Sequence, residues 1–98
     1  MTAAELAASA KRDTAPDESL SYEAKALWHA KKGNWEDAHN IAQEIHTPMG
    51  SWIHALLHLI EGDQGNANYW FRLAGKPSRK PADIDALLNE IASELLSS

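Results

Sequence analysis

His54, His58 and Glu61 fall at i, i+4 and i+7 in the stretch Trp-Ile-His-Ala-Leu-Leu-His-Leu-Ile-Glu, residues 52–61. On an α-helix that spacing places all three on one face. The rest of the segment is apolar nearly all round, the pattern of a helix that goes into the interior. Imidazoles and a carboxylate carried inward need partners. One chemistry that fits is a metal ion, zinc for example, held by two ring nitrogens with Glu61 as third ligand. The other is hydrogen bonding of each ring to a backbone carbonyl or to Tyr22, Asn66, Asn68 or Tyr69. The segment is not the zinc-protease motif, which needs Glu directly after the first His, where Ala55 stands. Paired helical histidines are common without metal, so the hydrogen-bonded reading takes precedence, then a ligand pocket, then a metal site.

Other residue types give weaker signals. His39 and His46, seven apart, read as a surface or half-buried pair, with no acidic group to complete a site beyond Glu36 and Asp37. Ser51 reads as a helix-start residue rather than an activated nucleophile. No nucleophile elbow or P-loop is present. Tyr69-Trp70-Phe71 is one aromatic run, and successive helical positions cannot all face one core, so at least one ring must reach a groove, a neighbouring helix or solvent. Trp52, Tyr69 and Trp70 beside His54 and His58 would make a concave surface for a peptide or small polar ligand. Packing between helices is the competing reading for the tryptophans.

The composition narrows the class. Ninety-eight residues with 44% hydrophobic content make one domain with a real core. A net charge of −5 argues against nonspecific nucleic-acid binding, and the basic group Arg72, Lys76, Arg79 and Lys80 reads as a solvated connection. Cysteine is absent, which excludes disulfide and thiolate chemistry. No apolar run approaches the length of a membrane span, and the N-terminus lacks a secretory pattern, so a soluble cytoplasmic protein is expected.

Breaker residues set out the elements. Residues 2–11 predict a marginal helix, and 12–19, with Pro16, a linker. The expected domain therefore starts at residue 20, with 1–19 as an N-terminal extension. A helix is predicted from 20 to 32, ending at Gly33 after Lys31-Lys32. Asn34 can cap the next helix, which is expected to reach His46. Thr47-Pro48 is a helix start, and the histidine-bearing helix runs to Gly62. Asp63 caps a further helix, 64–74, which ends at Gly75. Ile84, Leu87, Leu88, Ile91, Ala92 and Leu95 form the stripe of a C-terminal amphipathic helix, 81–97. The β pattern is missing, so the fold class is all-α, with about five to six helices.

Laying residues 21–44 over 50–73 pairs Ala26 with Ala55, Leu27 with Leu56, His29 with His58, Gly33 with Gly62 and Ala38 with Ala67. Each half then reads helix, Gly, cap residue, helix. The pattern Ala55…Gly62…Ala67, continued by Phe71 and Ala74, resembles the tetratricopeptide helical hairpin. It departs from that family in lacking its early Trp and Leu-Gly pair, in carrying His29 and His58 where tyrosine is usual, and in its short repeat. The resemblance implies two αα-hairpins, 20–46 and 48–75, closed by the C-terminal helix as a cap. The stretch from Trp52 through His54, His58, Glu61-Gly62-Asp63 and Asn66-Ala67 to Tyr69-Trp70-Phe71 also resembles a family of small, mostly bacterial helical proteins without an assigned activity.

The expected function is a noncatalytic interaction module. It would bind a protein segment or small polar ligand in a groove lined by His29, Trp52, His54, His58, Glu61, Tyr69 and Trp70. The alternative is a small metal-binding protein or hydrolase-like enzyme centred on His54, His58 and Glu61, with His29 able to complete the set. Oligomeric state is not fixed by these residues.

Overall fold

Helix starts follow from side chains that satisfy otherwise orphaned backbone N–H groups. The hydroxyls of Thr2, Ser21 and Thr47 and the carboxylate of Asp63 each accept a hydrogen bond from a backbone N–H of the first turn that follows. Thr2 and Glu5 form a reciprocal capping box. The computed structural model describes residues 1–96. Its helices are α1 (Ala3–Arg12), α2 (Tyr22–Lys32), α3 (Trp35–Ala42), α4 (Pro48–Ile60), α5 (Gln64–Ala74) and α6 (Ile84–Leu96), with a 3-10 turn at Pro81–Asp83. No strand occurs among the described residues, so the chain is all-α. Ser97, the predicted end of the last helix, lies outside the described residues.

The turns inside α2–α3 and α4–α5 share one chemistry. Gly33 and Gly62 take φ of 95° and 86°, which a side chain would oppose. At the second turn Asp63 N–H donates to the His58 carbonyl at 2.9 Å and Gly62 N–H to the Leu59 carbonyl at 3.2 Å. Asn34 and Gly33 repeat that pair on His29 and Ala30 at 2.8 and 3.2 Å. This is the doubly bonded helix stop that glycine makes available. Two sequence expectations differ from what is seen. Asn34 makes no side-chain cap; its amide faces His29 Nδ1 at 3.4 Å instead. Helix α3 stops at Ala42, four residues short of His46, which is exposed and outside any helix.

Helix α4 is the centre of the fold and packs on α2, α3, α5 and α6. Ile53, Ala55, Leu56, Leu57 and Leu59 are buried on it, so only a helix wrapped by others could carry this sequence. Ala26 on α2, Ala38 and Ala42 on α3 and Ala67 on α5 are buried in the same core cluster as small residues that let helices approach closely. The closest approach is at Gly50. A Cβ there would stand 2.5 Å from the Ile45 carbonyl oxygen and 2.6 Å from its Cγ2. The α3–α4 connection therefore lies directly against the first turn of α4.

The first nineteen residues, expected as an extension, include a helix docked onto the rest. Leu6 and Ala10 belong to the core cluster, and Trp28 Nε1 donates to Ser9 Oγ at 3.0 Å. Lys32 Nζ donates to the carbonyls of Ala10 and Asp13 at 3.0 and 2.7 Å, closing the end of α1. Helix α6 buries Leu87, Leu88, Ile91 and Ala92 against α1, α2 and α4. The basic connection before it is tied down: Arg79 pairs with Glu90 and Asp83, Lys76 with Glu94, and Gln64 Nε2 donates to the Arg79 carbonyl at 2.9 Å.

Two glycine substitutions test this packing. Gly50→Ala should lower stability by about 1–3 kcal/mol, because the added methyl meets backbone as well as side chain. Gly65→Ala, with nothing within 4 Å, should leave stability unchanged or raise it by up to about 1 kcal/mol. Urea midpoints at constant slope would read both; equal effects would contradict the close approach at Gly50.

Candidate functional site

The face of α4 that carries His54 and His58 turns toward α3 and α5. Both histidines are buried, at 6% and 7% exposure. They lie one turn apart and their rings stack, with centroids 4.9 Å apart at 18°. A third imidazole joins them from α3. His39 Nε2 lies 3.0 Å from His54 Nε2, and the His39 ring stands edge-on to His54 at 4.6 Å and to His58 at 5.5 Å. One ring nitrogen from each of His39, His54 and His58 lies within 4.8 Å of the other two.

Tryptophans wall the cluster. Trp35, one turn before His39 on α3, stacks on it with centroids 4.7 Å apart at 11°. Its indole N–H donates to the Leu57 carbonyl at 2.6 Å, which fixes α3 against α4. Trp70 on α5 lies flat against His54, with centroids 3.8 Å apart at 9°. Trp35, His39 and Trp70 are each half-buried, so they form the rim.

Proton placement follows from the geometry. His58 Nδ1 lies 2.6 Å from Glu61 Oε1, and an ionised carboxylate only accepts, so Nδ1 carries the proton. In the neutral ring Nε2 then holds the lone pair. The Nε2–Nε2 contact of His39 and His54 has room for a single proton, one ring donating and the other accepting. Burial, with a smaller repulsion from His39 and His58, pushes the His54 pKa down to about 4. Burial and then His58 also lower His39, against a counteracting pull from Glu61. Neutral imidazoles with available lone pairs are what a transition metal requires.

The residues expected from the sequence divide into two groups. His54, His58, Glu61 and Trp70 come together, and Tyr69 meets Trp70 edge-on while half exposed. Glu61 is not one of the three clustered donors; its carboxylate accepts from Nδ1 of His58. His29 is outside the cluster, with its ring edge-on to Trp28 and its Nδ1 near Asn34. Trp52 packs under Lys76 Nζ at 4.2 Å, in a depression of about 390 Å³ with Pro48, Met49, Ala74 and Glu94. Spacing along the chain reads His39 as a surface or half-buried residue outside the site; it is half-buried, and it completes the triangle. The imidazoles that His39 meets come from the next helix, not from its neighbours in the chain. Trp35 one turn earlier was the available signal, since it gives α3 an aromatic and imidazole edge beside the buried Ala38 and Ala42.

No protein-family model, curated protein or solved structure matches this chain.

The depressed His54 pKa has a definite sign in stability. The unfolded ring takes a proton as pH falls through about 6.5, while the folded ring resists until about 4. Its contribution is therefore complete above pH 6.5 and is lost as pH falls toward 4. The lowered His39 adds in the same sense. Denaturant midpoints between pH 7 and 5 should fall, and His54→Gln should flatten that slope. An equal slope in the variant would mean that His54 protonates freely in the folded protein.

Proposed function

We propose that this protein binds one divalent transition-metal ion through His39, His54 and His58, with Glu61 orienting the His58 ring. The observation that carries this reading is the convergence of three imidazole nitrogens from α3 and α4 within 4.8 Å of one another. The spacing suits a metal. For Zn–N bonds of 2.0–2.1 Å, two ligands of a tetrahedral site stand about 3.3 Å apart, close to the 3.0 Å between His39 Nε2 and His54 Nε2. The His58–Glu61 contact is the carboxylate–histidine arrangement that fixes tautomer and strengthens the ligand nitrogen. An all-imidazole set favours zinc, nickel, cobalt or copper(II) over calcium and magnesium, which take oxygen.

In this reading the metal takes the place of the proton shared by His39 and His54 and pins α3 to the central helix. The frame, two tetratricopeptide-like hairpins with a C-terminal cap, belongs to the same proposal. A second reading is a noncatalytic docking role for a protein segment or small polar ligand. It is favoured by Tyr69 and Leu73, one turn apart on α5 and 49% and 51% exposed, with Ile60 at 37%.

Calorimetric titration of protein made without a histidine tag tests the metal reading. Zinc should bind at one per chain and raise the melting temperature; at a hundredfold excess over Kd the stabilisation is about 2.7 kcal/mol. His39→Ala should abolish stoichiometric binding, and Glu61→Gln should weaken it by about 10- to 100-fold. A chain that takes up none of zinc, nickel, cobalt or copper(II) would sink the proposal.

A further inference from the structure

We infer that the metal held by His39, His54 and His58 keeps one coordination position open to a small exogenous donor. That donor is water at rest, and a small anion such as azide or formate can replace it. The inference rests on the metal-binding reading above. Four-coordinate sites divide into those closed by four protein ligands, which brace a fold, and those with three protein ligands and an open position. Among the described residues no further imidazole or carboxylate joins the triangle of His39, His54 and His58. Glu61 is held on His58 Nδ1 at 2.6 Å. Asp63 belongs to a separate grouping with His58 and Glu61, and its carboxylate accepts from Asn66 N–H as the cap of α5. Neither carboxylate can take the fourth position without breaking the contact that sets the His58 tautomer or the helix start.

The surroundings decide what can enter. Trp35 covers the face of His39 and Trp70 the face of His54, while α4 itself closes the inner side. His54 and His58 are buried, whereas His39 and both indoles are half-buried and so meet solvent at the rim. A donor reaches the metal between aromatic rings. This favours compact, monodentate species over chelating or bulky ones. Water bound there would be acidified toward pH 7, as at other zinc centres with three protein ligands. The position thus offers Lewis-acid chemistry to a small molecule.

Cobalt(II) in place of zinc makes the position visible, because its d–d bands report coordination number and ligand exchange. The full chain and its Glu61→Gln variant would be loaded with cobalt, checked for stoichiometry and titrated with sodium azide. One cobalt per chain, four-coordinate band intensity and a saturable band shift at one azide per metal would support the open position. The variant should bind cobalt more weakly but show the same azide shift, because Glu61 is not the fourth ligand. A stoichiometric cobalt site whose spectrum ignores azide would overturn the inference while leaving metal binding intact. An azide-insensitive dimer, with the position filled by a second copy, would overturn it equally. Failure to bind cobalt or zinc would remove both the inference and the reading beneath it.

Discussion

Two imidazoles buried on an otherwise apolar helix impose the constraint that the rest of the molecule satisfies. Ring nitrogens out of contact with water need a partner, or the helix loses more than its apolar faces gain. The solution divides along the helix. Glu61, the residue that caps the end of that helix, serves His58, while His39 serves His54 from a neighbouring helix. Every buried side-chain nitrogen and oxygen among the described residues has a partner. The polar stripe is thus a condition on where α3 can lie. The Trp35 indole bonded to the Leu57 carbonyl fixes the same placement from the other side.

The packing around α4 follows from that condition. Trp70 stacked on His54 at 3.8 Å and His39 edge-on to His54 at 4.6 Å need α5 and α3 close to α4, and the small alanines of the core allow it. Gly50 brings the incoming connection against the first turn, so α3 and α4 are joined without slack. The outer helices α1 and α6 complete the core from the other side, and their ties through Ser9, Lys32, Arg79 and Lys76 do not involve the histidines.

Much of this was legible in the residues themselves. Gly33, Gly62 and Gly75 stop helices, Thr47 and Asp63 start them, and the period of residues 84–95 marks the last amphipathic face. These signals are local: a cap or a left-handed stop depends on a few neighbouring residues. The stripe of His54, His58 and Glu61 was legible for the same reason, being spaced within one helix. His39 was not. Whether a half-buried residue on one helix meets a given face of the next depends on the rotation between them, which periodicity along either helix leaves open. The short reach of α3 is a related case, since the helix ends where Ala42 packs into the core and the chain turns toward Gly50. Trp52, two residues from His54 on a helix, lies nearly on the opposite side and packs under Lys76. No helix among the described residues is long and apolar enough to cross a membrane, in line with the apolar-run lengths.

The stacked cluster also bears on how the chain folds. Trp35, His39, His54, His58 and Trp70 all lie in one uninterrupted run of three consecutive helices, α3 to α5. Bringing them together closes only short loops, and the entropy of closing such loops is small. Contacts of low sequence separation form early when topology sets the rate. The polar centre can therefore assemble as a nucleus before α1 and α6 arrive from the chain ends.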